Sequence, residues 1–330
     1  MNNKQKKAMF GMVAIVLLLL LIGIGYLWDI VRKQEENKNT EPNTEVLSQA
    51  DKNSIYHDGK EYVYNKNVKN ILFLGIDKGE EITLNETLGK GGQADTIMLF
   101  SIDRENQTTR ILQISRNAMT DIDLYDKNGN YYTSIKAQLA TQYAYGNGAD
   151  TSCWATKRTV SELLNDLPIA GYFALDISGV SVINDMIGGV TITIPEDYTE
   201  IDPAFVKGAT ITLNGKQAEK YVRYRDPNMI GGNDLRMQRQ AQYIPALLDS
   251  LSKISEKTDE ELNLMMDAIS KYMVTDLSAD DLKVMLKSDI NMKNIETVPG
   301  ESKKGEIYEE FYVDEENLQK ILIKMFYKQK

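Results

Sequence analysis

The 330 residues carry 48 acidic against 38 basic side chains, a formal net charge of −10, with one cysteine and one histidine. An acidic chain is a poor match for a nucleic-acid binder, since phosphate backbones select basic faces. Cys153 alone forms no intrachain disulfide, and the single histidine, His57, lies at the edge of the polar linker, so Ser-His-Asp, Cys-His and His/Cys zinc chemistries lack their parts.

Ala8 to Trp28 is an uncharged, mostly apolar run. At about 21 residues and 1.5 Å of rise each it is long enough to cross a bilayer. Lys4, Lys6 and Lys7 precede it, which favours a cytoplasmic amino terminus and an outside body. No small-residue cleavage site follows, so residues 1–32 read as a cytoplasmic tip and an uncleaved single-pass signal anchor in the cell membrane. Residues 33–55 are polar and charged and read as a flexible linker. An exported chain without disulfides fits a bacterial envelope.

The body begins near residue 56. Val68 to Asp77 is a short apolar run that reads as a buried strand delivering Asp77 to its end. Asp95-Thr96 opens a second run, Ile97 to Ile102, and Arg110 to Ser115 is a third that ends in Arg116. Asp103 to Thr108 reads as the hairpin turn between the last two. Ile135 to Tyr145 and Ser152 to Leu164 read as helices, Gly171 to Ile177 as a strand, Ser178 to Ile187 as a helix and Val190 to Ile194 as a strand. The fold class expected is an α/β (α+β) sandwich, a mixed central sheet covered by helices.

Asn214 to Tyr221 reads as a short helix leading into YVRYRDPNMIGGNDLRMQRQ, residues 221–240, which holds Arg223, Arg225, Arg236 and Arg239, four of the nine arginines in the chain. The forked guanidinium suits phosphate or carboxylate; surface ion pairs with Asp and Glu are the alternative. Arg223 and Arg225 point the same way only in an extended segment. A helix capped by Asn233 would put Arg236, Arg239 and Gln240 on one face of its first turns, where anions bind. Pro245 should kink that helix. After residue 252, Glu256 to Met273, Ser278 to Leu286 and Glu315 to Phe326 read as helices, and Asn294 to Val298 and Ile307 to Val313 as strands. The expected division is a catalytic domain over 56–251 with a C-terminal extension, 252–330, packed on it.

From about Val68 to Leu251 the chain resembles the LytR-CpsA-Psr family. The likeness rests on the Gly75-Ile76-Asp77 strand end, Ala94-Asp95-Thr96, Ser115-Arg116-Asn117, Ala144-Tyr145-Gly146, the GGVTITIPED of residues 188–197, the LNGKQAEKYVRYRD of 213–226 and the NDLRMQRQ of 233–240. The resemblance implies transfer of a teichoic-acid-like or capsular glycopolymer from a polyprenyl-pyrophosphate carrier to peptidoglycan, with magnesium, outside the membrane of a Gram-positive bacterium. It implies that Asp77 and Asp95 hold the metal and, with Arg116, do the chemistry. It implies that Arg116, Arg223, Arg225, Asp234, Arg236, Arg239 and Gln240 hold or support the pyrophosphate, and that the lipid occupies an apolar cavity. Three positions depart from the family pattern: Gln93 where arginine is common, Gly79 likewise, and Asn117 for aspartate. These leave two alternatives, a polyprenyl-pyrophosphate hydrolase and a non-catalytic binder of lipid-linked glycans.

Overall fold

The computed structural model describes residues 54–84, 89–125, 130–226, 229–252, 267–278 and 289–330, the side chains of 289–294 excepted. In chain order the elements are β1 (Ser54–His57), β2 (Lys60–Tyr64), β3 (Val68–Ile76), β4 (Ala94–Asp103), β5 (Thr108–Ile114), β6 (Met119–Tyr125), β7 (Tyr131–Gln138), α1 (Thr141–Ala144), α2 (Asp150–Leu163), β8 (Gly171–Asp176) and α3 (Ile177–Met186). There follow β9 (Val190–Thr193), β10 (Thr210–Leu213), α4 (Gly215–Arg223), α5 (Gly232–Ser252), β11 (Met273–Thr275), β12 (Asp289–Thr297), β13 (Gly300–Lys304), β14 (Glu309–Val313), α6 (Glu315–Phe326) and β15 (Tyr327–Gln329).

A six-stranded mixed sheet, ordered β11-β8-β3-β4-β5-β12, organises the body. β3 is its centre, parallel to β8 and antiparallel to β4. Its near-continuous apolar sequence is what a strand covered on both faces requires. Period-two alternation then divides the sheet's side chains. Leu72 and Leu74, with Ile97, Leu99, Leu112 and Ile114, join the core beneath α2 and α6. Each such fully buried leucine or isoleucine contributes about 2 kcal/mol. Ile71 and Phe73, with Met98, Phe100 and Phe173, face the other way, toward Ile244 and Leu248 of α5. A third cluster of Val190, Ile192, Phe205, Leu213, Tyr221 and Tyr243 sets the β9–β10 hairpin and α4 against α5.

Several sequence expectations need correction. Ile135 to Tyr145 is not one helix: Tyr131–Gln138 pairs with Met119–Tyr125 as a hairpin, and only Thr141–Ala144 is helical. Met273, expected to end a helix, opens a strand. The residues after 252 do not merely lie on the outside of a finished domain. They supply both edge strands of the central sheet, β11 and β12, and α6 buries Leu318, Leu322, Met325 and Phe326 in its main core. α5 is helical on both sides of Pro245, the position where a kink is expected. The expected membrane anchor and nearly all of the linker lie outside the described residues, as does nearly all of the expected helix at Ser278 to Leu286. Among the described residues no helix is long and apolar enough to cross a membrane.

A two-chambered candidate active site

The sheet's topology gathers the first three site residues. β3 and β5 both run antiparallel to β4, so the end of β3, the start of β4 and the end of β5 share one edge. Asp77 follows β3, Asp95 is the second residue of β4, and Arg116 lies two residues past β5. The Asp77 N–H donates to the Gln93 carbonyl at 3.1 Å, which holds the two aspartate segments together. Gly75 sits opposite Thr96; a Cβ there would come within 2.8 Å of the threonine Cβ.

Helices α4 and α5 bring the arginines to the same edge. α4 starts in a capping box made by Asn214 and Gln217, and carries Arg223 as its last helical residue. Arg223 is therefore helical rather than extended, and only Tyr224 beyond it turns to extended backbone. Its Nη2 lies 2.7 Å from Asp77 Oδ1, and its Nη1 donates to Glu219 at 3.1 Å. On α5, Arg236 donates from Nη1 to Asp95 Oδ2 and from Nη2 to the Asp95 carbonyl, both at 2.9 Å. Arg116 Nε lies 2.9 Å from the other Asp95 oxygen, and its Nη2 donates to Gln93 Oε1. Arg116 and Arg236 are both buried. Burial holds the Arg116 guanidinium below its ordinary pKa, opposed by the charge of Asp95.

Asn233 does not cap α5, which begins one residue earlier. Its amide instead accepts from Arg236 Nη2 at 2.7 Å and donates to Ser115 Oγ at 3.1 Å, so it aims the arginine and ties α5 to the end of β5. Gln240 donates to Thr96 Oγ1 at 2.7 Å and to the Val222 carbonyl at 3.0 Å. Two residues expected on the anion line neither chamber. Arg239 is buried, donates to the Tyr221 and Tyr224 carbonyls and stacks on the Tyr198 ring at 5.3 Å, which fixes the end of α4. Asp234 faces Glu309, and burial followed by that carboxylate raises its pKa.

Two further carboxylates, Asp176 and Glu309, hold the site in shape. Buried Asp176 caps α3 through Ser178 N–H at 2.9 Å and accepts from the Lys78 and Gly79 N–H groups at 3.2 Å, holding the turn after Asp77. Its signal lies in the sequence: an aspartate at a strand end, directly before a helix. Glu309, on β14, accepts from Gly231 N–H at 2.8 Å and from Asn117 Nδ2 at 3.3 Å. No local pattern marks it.

Two chambers meet here. The first, about 1360 Å³ counting its solvent-open mouth, is lined by apolar side chains of β3, β8, α3 and α5, and by Asp77, Asp95, Arg223, Arg236 and Gln240. From Asp77 it follows β3 back to Ile71, and from Arg236 it follows α5 to Leu251, each roughly 20 Å at strand and helix rises. The second, about 770 Å³, is polar and lined by Asp77, Asp95, Gln93, Lys90, Arg116 and Arg225. Asp77 and Asp95 belong to both. An apolar slot ending in converging charges suits an amphiphile with an anionic head.

The sequence pattern of the LytR_cpsA_psr family matches residues 29–326. The chain belongs to this family. It is 27% identical over 262 residues to the polyisoprenyl-teichoic acid–peptidoglycan teichoic acid transferase TagV of Bacillus subtilis, covering 74% of this chain and 60% of TagV. With TagU of the same organism, named for the same transfer, identity is 25% over 289 residues, 85% of this chain and 82% of TagU. The chain thus spans about three fifths of the length of TagV and most of TagU. The crystal structure of B. subtilis TagV shares the fold, with a TM-score of 0.58 at 23% identity over 79% of this chain and 96% of that one.

The three departures within this LytR_cpsA_psr member have local causes. Gln93 accepts from Arg116 and so orients it. Gly79 has a φ of +76°, a conformation that an arginine would adopt only with strain. Asn117 accepts from Arg116 Nη1 at 3.2 Å while donating to Glu309, and an aspartate there would face a second carboxylate.

A divalent cation fits the donor set. Desolvation and the neighbouring Asp95 charge raise the pKa of Asp77, against the pull of Arg223. A cation held by Asp77 and Asp95 would relieve that repulsion. Among the described residues no group of three or more His, Cys, Asp or Glu could form an all-protein cage. Two carboxylates without histidine or cysteine beside them would suit a hard, oxygen-preferring cation such as magnesium rather than zinc. Arg236 Nε is buried without a hydrogen-bond partner among the described residues, a donor suited to an anion.

Proposed function

We propose that this protein is a membrane-anchored, extracytoplasmic phosphotransferase that moves a teichoic-acid-like or capsular glycopolymer from a polyprenyl-pyrophosphate carrier to peptidoglycan. The anchor is the Ala8 to Trp28 segment. The observation that carries the proposal is the meeting of an apolar and a polar chamber at Asp77 and Asp95. The polyprenyl chain lies in the apolar chamber, the diphosphate at the junction, and the polymer leaves through the polar one. The names of TagU and TagV support this assignment.

Phosphoryl transfer depends mainly on position and on neutralising charge spread over oxygens. Arg116, Arg223, Arg225 and Arg236 line the two chambers together with Asp77 and Asp95, and their forked donors suit the oxygens of a diphosphate. The acceptor hydroxyl oxygen forms a bond to the phosphorus that carries the polymer. The bond from that phosphorus to the bridging oxygen breaks, polyprenyl phosphate departs with the electron pair, and the hydroxyl proton passes to solvent. Arg223 and Arg236 steady the departing phosphate, and Arg116 and Arg225 hold the phosphate that stays with the polymer. Magnesium held by Asp77 and Asp95 would supply further neutralisation of phosphate oxygens.

Full-length protein in liposomes with radiolabelled lipid-linked polymer and peptidoglycan tests this. Label should enter peptidoglycan and require magnesium. Label released as free polymer phosphate at the same rate with or without peptidoglycan would mark a hydrolase instead.

A further inference from the structure

The β6–β7 hairpin and α2 expose aromatic rings that the fold does not bury. Trp154 is 47% exposed and Tyr131 58%. Tyr125 sits between them, its ring centroid 6.3 Å from Trp154 and 6.4 Å from Tyr131. Large aromatic side chains are mostly buried on average, and a contiguous exposed set marks a contact surface.

The rings are held in place before anything binds. Arg158 donates to the Tyr125 hydroxyl at 3.3 Å and pairs with Asp123 at 3.2 Å and Glu162 at 2.9 Å. The Tyr131 hydroxyl bonds Ser134 Oγ at 2.9 Å, and Ser134 donates to Asp123 at 2.7 Å. Preorganised aromatics lose little entropy on binding.

We propose that this surface binds the acceptor glycan strand, an uncharged stretch of polysaccharide. A pyranose ring has an apolar C–H face that stacks on an aromatic ring and equatorial hydroxyls that meet carboxylates and guanidinium at the rim. The rings meet edge to face, with planes at 80° and 62°, so their faces point in different directions and suit an extended, bending strand rather than one flat ligand. The local charge decides between the glycans available. The patch carries Asp121, Asp123 and Glu162 against Arg158 and Lys136, whose charges those carboxylates already meet. A phosphate-rich polymer gains nothing there, whereas a neutral strand does.

Two segments lead from the site toward the patch, which lies at the far end of the hairpin. β6 starts three residues after Arg116, and Gln138 at the same end of the hairpin donates to Asn117 at 3.0 Å. Met119 to Tyr125 spans roughly 20 Å of strand. On the other side Gly89, which lines the polar chamber, donates to the Ala144 carbonyl at 2.9 Å, and α2 begins at Asp150. Trp154 lies about 6 Å further along that helix. Naming the strand as acceptor rests on the proposed transferase reaction; binding itself does not.

Trp28 and Trp154 are the two tryptophans, so full-length Trp28→Phe protein in detergent reports on Trp154 alone. The probes are a β-1,4-linked N-acetylglucosamine hexamer and a glycerol-phosphate oligomer of similar length. The hexamer should shift Trp154 emission saturably and bind about tenfold more tightly than the phosphate oligomer. By calorimetry, Trp154→Ala and Tyr131→Ala should each weaken hexamer binding about tenfold with unchanged melting temperatures, and Trp154→Phe should restore part of it. An emission spectrum unmoved by hexamer, equal or tighter binding of the phosphate oligomer, or full binding by Tyr131→Ala would overturn the proposal. None of these readouts needs turnover, so a failure of the transferase assay leaves them interpretable.

Discussion

Arg236 grips Asp95 twice, through the carboxylate and through the backbone carbonyl, each at 2.9 Å. One guanidinium thus fixes both the side chain and the backbone at the start of β4, and α5 cannot shift without moving Asp95. Arg236→Ala leaves a half-buried carboxylate with Arg116 as its remaining cation. Breaking such a pair should cost about 3 kcal/mol in urea unfolding. Arg236→Lys keeps the charge but not the fork, and should fold while losing about a hundredfold in transfer rate.

Asp77 binds its proton more tightly in the folded chain than in the unfolded one. Its ionisation therefore costs stability as pH rises through the native pKa, and below the unfolded value, roughly pH 4, the cost vanishes. Asp77→Asn should accordingly be more stable than the parent at neutral pH, with the difference shrinking toward roughly pH 4 in thermal melts. Magnesium should raise the melting temperature of the parent and leave that of the variant nearly still.

Glu309 lies 78 residues from Gly231 and accepts its N–H, pinning the loop between Arg225 and Arg236. Glu309→Ala should raise the donor KM about tenfold and lower kcat less, since the arginines remain but lose their seating. Glu309→Gln keeps an acceptor and should recover most of the KM; it should also lower the pKa of Asp234, readable by NMR titration, because the neighbouring charge is gone.

Val180 lines the apolar chamber and is only partly buried. Val180→Trp should fill space rather than strain a packed core, costing under about 1 kcal/mol in stability. Long-chain polyprenyl donors should then lose binding in competition assays while short-chain ones keep it.

Much of this site could be seen in the chain. Asp77, Asp95 and Arg116 each bound a short apolar run, and hairpin order brings such ends to one edge. Arg223, Arg225 and Arg236 stood out because lysine is the commoner cation elsewhere. What stayed hidden depends on distant partners. Ala137, Gln138, Leu139 and Ala140 are good helix formers, yet Thr133 to Gln138 follow the pairing offered by Met119–Tyr125, a tertiary override of local propensity. β12 joins β5 across a long separation in the parallel sense, which no local pattern announces. Arg239 could not be told from Arg236 by spacing alone: the two share a helix face, and carbonyls and Tyr198 capture one while Asp95 captures the other.

The most direct measurement is a crystal structure of the protein with a polyprenyl diphosphate and magnesium. The account predicts the isoprenoid chain along Phe73, Phe173 and Leu248, and the diphosphate among Asp77, Asp95, Arg116, Arg223 and Arg236. A lipid bound elsewhere, or a diphosphate away from both aspartates, would contradict it.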